Sequence, residues 1–212
     1  MSNFCWILDN SHGGFIHCFY QTAGKSSPKW EDGSQLFEGD FTRNIVRRIV
    51  KLCEQAGIET IQLVESNEDV SLLERVTRAN MIFNRKLQNE GKKCILVTIH
   101  ANESNDPNMG GWTVYTSTGE SISDKIATIF YHQMKNTFPN EKMRSDLHDG
   151  DADWEANFQL IYATAMPSIM TENFYMTNER ECKELLMKDS NSKKIAEAHF
   201  NASLEVEKNI SF

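Results

Sequence analysis

Proline is scarce, with four residues in 212, and no proline-rich, repetitive or low-complexity tract is present, which leaves no composition for a linker between modules. No apolar run approaches the roughly 20 residues that a bilayer-spanning helix needs. The amino terminus enters directly into Phe4-Cys5-Trp6-Ile7-Leu8, without the basic region, long apolar core and small-residue cleavage site of a secretory signal. Five cysteines, Cys5, Cys18, Cys53, Cys94 and Cys182, form an odd set without C-x-x-C spacing, so neither a disulfide framework nor a zinc ribbon is expected. Cys182 has no obvious histidine partner, which argues against a thiol enzyme. Lys and Arg number 22 against 30 acids, for a formal charge of -8; electrostatic capture of nucleic acid is not expected. The compact basic cluster from Arg43 to Lys51 reads as the solvated face of a helix.

What is present suits one globular domain covering residues 1–212: 40% apolar and 10% aromatic residues, enough for a core without disulfides. Residues 4–9 read as a buried strand and 15–36 as a long loop. Apolar residues at helical spacing over 43–53 predict a helix, closed by Ala56-Gly57. A second apolar run covers 58–64. Ser71 to Gln88 reads as a helix with Leu72, Leu73, Val76, Ala79, Ile82 and Phe83 on its buried side. Residues 94–99 form the next strand, 112–116 a short one and 121–137 a third helix. Phe158 to Ala163 and Ser168 to Thr171 read as extended segments, and 178–208 as a closing helix or helix pair. Strands alternating with helices predict an α/β fold, a mostly parallel twisted sheet with helices on both faces.

Three polar residues occupy informative places. His12 follows the first strand in Leu8-Asp9-Asn10-Ser11-His12-Gly13-Gly14, where paired glycines allow a sharp turn and close approach of a ligand. His100 follows Cys94-Ile95-Leu96-Val97-Thr98-Ile99, and Glu172 follows Ser168-Ile169-Met170-Thr171. Open α/β sheets place ligands at such strand ends, so a metal-dependent hydrolase is the first hypothesis. Zinc in such enzymes takes three ligands from His and carboxylate and leaves a fourth position for water. Glu31, Asp32, Glu38 and Asp40 compete for the missing carboxylate; Glu38, just before the first helix, is selected, although Asp40 could serve as well as a helix-start acid. His17 lacks the strand-end context, and His132, His148 and His199 read as helix or loop surface. Asp149-Gly150-Asp151-Ala152-Asp153 begins like a calcium loop, but Trp154 and Leu160 occupy the positions of the required glycine and glutamate. It reads as a solvated loop that borders the substrate groove.

In this order the motifs resemble the zinc-dependent N-acetylmuramoyl-L-alanine amidases of the amidase-3 type. Leu8 to Gly14 is similar to the family's opening strand and zinc histidine, and Glu38 with Asn44-Ile45-Val46 to its glutamate ligand and following helix. Asp69 to Arg75 with Ala79-Asn80 resembles its central helix, Ile99-His100-Ala101-Asn102 its second zinc histidine, Gly111 to Tyr115 the strand after it, and Pro167 to Asn178 the segment with the catalytic glutamate. The resemblance implies Zn²⁺ held by His12, Glu38 and His100, with Glu172 as proton carrier, and hydrolysis of the amide between N-acetylmuramic acid and L-alanine of peptidoglycan. Asn10-Ser11 replaces a usual Pro-Gly, Thr42 a common Asn, and Thr171 a common apolar residue, which marks a divergent member. The expected setting is a phage-type lysin, made in the cytoplasm and released to the wall, with no nucleic-acid or membrane-inserting role. The rival readings are a zinc peptidase on other substrates and a non-catalytic wall-binding module of the same fold.

Overall fold

In the computed structural model, residues 2–148 and 150–212 are described. In chain order they form β1 (Phe4–Asp9), a hairpin of β2 (Phe15–Ile16) and β3 (Phe19–Tyr20), α1 (Glu38–Gln55), β4 (Glu59–Gln62), α2 (Leu72–Glu90), β5 (Lys93–Asn102) and β6 (Thr113–Thr116). Then follow α3 (Ile122–Thr137), β7 (Trp154–Glu155), α4 (Gln159–Tyr162), β8 (Ser168–Tyr175), α5 (Glu179–Glu181), a π-helical turn at Cys182–Leu186, and α6 (Asp189–Asn209).

Six strands make one sheet in the order β4-β1-β5-β8-β6-β7. The β4, β1, β5 and β8 strands are parallel, and β6 runs antiparallel to β8. Every residue of β1 is buried, as expected of a strand covered on both faces. Alternate side chains serve two cores. Trp6, Leu8, Ile95, Val97 and Ile99 pack with residues of α1, α3 and α6, whereas Cys5, Ile7, Cys94 and Leu96 pack with Val76 and Ala79 of α2. Helices therefore cover both faces, as the alternation predicts. Among the described residues no helix is long and apolar enough to cross a membrane.

Several local expectations are corrected. Phe158 to Ala163 is not extended: Ile161 and Tyr162 both donate to the Phe158 carbonyl and close the short helix α4. Leu160 and Ile161 are buried while Phe158 and Tyr162 are exposed, a pattern too short for either period to be read from sequence. The 15–36 loop contains the β2–β3 hairpin. Leu72 and Leu73 are 51% and 68% exposed, not buried; they begin α2. Arg43 and His199, both read as surface, are buried.

Candidate metal centre

His12, Glu38 and His100 converge at the carboxyl ends of β1 and β5. Beyond β1 the chain turns through Ser11, whose φ of 57° is a left-handed conformation usually left to glycine. The Ser11 amide donates to Asp9 Oδ2 at 3.2 Å. The turn is fixed from the other side by Arg43, whose guanidinium donates to the His12 carbonyl and to Ser66 O. Glu38 is the first residue of α1, which begins ahead of the 43–53 stretch that the apolar spacing marks, so Glu38 lies within the helix and not before it. It reaches the His12 turn because Gly39 follows it: a Cβ on Gly39 would stand 1.9 Å from the Gly13 carbonyl oxygen. His100 lies within β5, two residues before its end.

One oxygen of Glu38 lies 3.1 Å from His100 Nδ1, the other 3.4 Å from His12 Nε2. Glu38 Oε1 also accepts from the Ala101 amide at 3.1 Å. One donor atom from each of the three residues lies within 4.8 Å of the other two, close enough for a single ion to draw them together. Electrostatics agree. Burial pulls the His12 imidazole down to about 4 against the opposing charge of Glu38, which leaves a neutral nitrogen donor at pH 7. Burial pushes Glu38 up, but the hydrogen bond to His100 and the two imidazoles more than offset it and hold Glu38 below its ordinary value. Burial likewise lowers His100, and the Glu38 hydrogen bond and charge turn the outcome upward. A carboxylate and two imidazoles in mutual contact, one sharing a proton with the acid, are a donor set for a divalent cation.

Glu172 stands directly beside His100, its register partner on β8. Its Oε2 is buried without a hydrogen-bond partner among the described residues. Burial is the main cause that raises this carboxyl to about 7; His100 opposes and Glu38 adds to the rise. The next residue locks the strands: Asn173 Nδ2 donates to the His100 carbonyl at 2.9 Å and its Oδ1 accepts from Trp112 Nε1 at 2.9 Å.

Each departure from the motifs that the sequence resembles has a local partner. Thr42 Oγ1 donates to the Asn10 carbonyl at 2.7 Å and lies 3.2 Å from the Ser11 hydroxyl, so Asn10, Ser11 and Thr42 form one contact set. Thr171 Oγ1 lies 3.0 Å from His199 Nε2, and His199 Nδ1 lies 2.8 Å from the Ile195 carbonyl. A carbonyl only accepts, so Nδ1 carries the proton and Nε2 accepts from Thr171. Burial lowers His199 to about 4, consistent with this neutral pair.

The site opens into a cavity of about 520 Å³ bordered by Thr22, Lys25, Val70, Leu72, Phe158 and Met170. Sequence reasoning did not single out three supports: the buried Arg75–Asp9 ion pair below His12, Arg43, and Lys25, which pairs with Glu103 at 2.7 Å. The position of Asp9, just ahead of the histidine turn, was a signal for the first. The competing acids lie elsewhere: Glu31, Asp32 and Asp40 are exposed, and Asp32 pairs with Lys183 at 2.9 Å. Asp151 and Asp153 line a separate cavity with Asp124 rather than the groove; Asp149 lies outside the described residues.

The family model described as N-acetylmuramoyl-L-alanine amidase matches residues 7–204. No curated protein sequence matches the chain. Among solved structures, an N-acetylmuramoyl-L-alanine amidase of Nostoc punctiforme is 23% identical, with TM-score 0.72 and 98% of both chains covered. One from Clostridium difficile 630 is 19% identical, with TM-score 0.75 and 100% of both covered. The catalytic domain of an endolysin targeting Clostridium difficile is 14% identical, with TM-score 0.64 and 100% of both covered. These likenesses establish the fold. The family match runs from β1 into α6 and includes all three donors of the cluster, and on it this chain belongs to the N-acetylmuramoyl-L-alanine amidase family.

Proposed function

We propose that this protein hydrolyses the amide between N-acetylmuramic acid and L-alanine of peptidoglycan with a zinc ion held by His12, Glu38 and His100. The observation that carries the reading is the contact of these three donors next to a carboxylate oxygen of Glu172 that has no hydrogen-bond partner among the described residues. When bound, zinc supplies Lewis acidity at the scissile carbonyl and lowers the pKa of the attacking water toward about 7. Glu172 accepts the proton of that water and returns it to the departing alanine nitrogen, which is a poor leaving group until protonated. Arg43 and the Asp9–Arg75 pair hold the His12 turn, and Asn173 fixes the backbone of His100. Release to the wall by a phage-type lysis system belongs to this reading, supported by the fold shared with an endolysin catalytic domain.

Digestion of purified peptidoglycan followed by mass analysis tests it. Free stem peptides with a new alanine amino terminus are expected, and a chelator stops their release. Glu38→Ala loses metal and activity together, whereas Asp40→Ala keeps both. Cleavage inside the stem peptide would identify a peptidase instead. Zinc retained at full stoichiometry by Glu38→Ala would overturn the ligand assignment.

A further inference from the structure

Beyond Glu172 the sheet continues through β6 and β7, and their register defines a surface. Thr113 pairs with Glu172, Tyr115 with Met170, and Tyr115 in turn with Trp154. Residues paired across strands share a face, so Glu172, Thr113, Tyr115, Met170 and Trp154 all point the same way, while Val114 turns into the core on the opposite side. The Tyr115 ring packs edge-on against Phe158 with centroids 5.3 Å apart, and Phe158 lines the cavity that contains Glu172. Burial and the Glu172 charge hold the Tyr115 phenol above its ordinary value, with Arg144 opposing. In the sheet Tyr115 lies between Met170 of β8 and Trp154 of β7.

Arg144 has an unusual setting. The Arg144 guanidinium carbon lies 5.1 Å from the Trp154 ring centroid and 5.6 Å from that of Tyr175, and Nη1 donates to the Tyr175 hydroxyl. Among the described residues Arg144 has no carboxylate partner. A guanidinium oriented by two aromatic faces is pre-organised for planar, two-point recognition of an oxyanion. The direction of the reaction says which part of a substrate arrives there. Glu172 returns its proton to the leaving nitrogen, so the peptide, not the sugar, extends from the Glu172 side of the metal donors. Tyr115 and then Arg144 lie beyond Glu172 on that side.

We infer that Arg144 is a specificity-determining residue that binds a free carboxylate on the peptide side of the scissile amide, within a subsite walled by Tyr115 and Trp154. The inference rests on the amidase reading for the direction of the substrate. A residue that only stapled β6, β7 and β8 together would act equally on every substrate; a carboxylate receptor would not.

The experiment compares two muramoyl peptides that differ only in carrying an α-carboxylate or an α-amide at the second peptide residue. Calorimetric titration of the two matching product peptides accompanies it, because binding reports on the subsite without turnover. Wild type is expected to prefer the carboxylate, and Arg144→Gln to lose roughly 10- to 100-fold in kcat/KM on that substrate, mainly through KM, with little change on the amide. Arg144→Lys, which keeps the charge without the fork, retains part of the preference and serves if the Gln variant fails to fold. Equal losses on both substrates, or a wild type indifferent to the carboxylate in both cleavage and titration, overturn the inference. A wild type that binds the carboxylate product selectively but cleaves neither substrate overturns the amidase reading and leaves the subsite standing.

Discussion

Burial sets the proton affinity of Glu172 at about 7, a value suited to a group that must accept and return a proton near neutral pH. Glu172→Gln keeps the volume and removes that exchange, so turnover is expected to fall by roughly 10²–10⁴-fold with zinc content unchanged. The working form is the carboxylate, so kcat/KM of wild type rises with pH through the pKa of Glu172, and this limb disappears from the residual activity of the variant. Stability runs the other way. The folded carboxyl lies above its usual 4.5, so its contribution in metal-free protein is complete below that value and is lost as pH rises through about 7. Metal-free Glu172→Gln therefore gains on wild type across this window, by about 3 kcal/mol at its upper end. Denaturant unfolding of both proteins at pH 5 and pH 8 checks the sign; an equal gap at the two values would show that Glu172 is not buried as an acid. At this scale the sequence was readable because His12, His100 and Glu172 each follow an apolar run. Arg43 was not, since its neighbours Arg47 and Lys51 are exposed and nothing in the spacing marks the one cation that turns inward.

Elements succeed or fail here at their ends. The first strand was legible from the apolar run Phe4 to Leu8, and it closes on the buried Asp9. β5 and β8 run further than their apolar segments, to Asn102 and Tyr175, since His100 and Glu172 remain paired in the ladder while serving the site and the pairing resumes, after a register shift, at Asn102 and Tyr175. The hydrophobic pattern stops where the chemistry starts. Helix α1 shows the same economy: its first residue is the proposed ligand, its second the glycine that lets the helix end touch the His12–Gly13 turn. Gly39→Ala introduces a Cβ 1.9 Å from the Gly13 carbonyl oxygen and 3.0 Å from that of His12. Both obstacles are backbone, so α1 must retreat and take Glu38 with it. The expected result is a loss of roughly 1–3 kcal/mol of stability, together with weakened zinc binding, measured on one preparation by chemical unfolding and metal analysis. Unchanged zinc affinity would show that Glu38 does not depend on this approach.

For the whole molecule, metal and thiols make opposite predictions. Cys5, Cys53, Cys94 and Cys182 are buried, and Cys18, on the β2–β3 hairpin, is exposed. A bulky alkylating reagent applied to native protein should therefore add a single label at Cys18, and the hairpin lies outside the sheet that carries Glu172. Labelled enzyme is expected to retain its activity. Chelation should remove activity and also stability, because an ion that binds only the folded chain stabilises it by about 4 kcal/mol when present at a thousand times its dissociation constant. The three donors come from the β1 turn, α1 and β5, so that linkage joins segments far apart in sequence and acts on unfolding as a whole. Comparing melting curves of wild type and His100→Ala, each with and without chelator, separates the effects. A chelator-induced drop in wild type that is absent from His100→Ala supports one metal site coupled to the fold, whereas the same drop in both would place the stabilising ion elsewhere. Inactivation by the Cys18 label alone would return a thiol to the mechanism, which the burial of the other four makes chemically hard to accommodate.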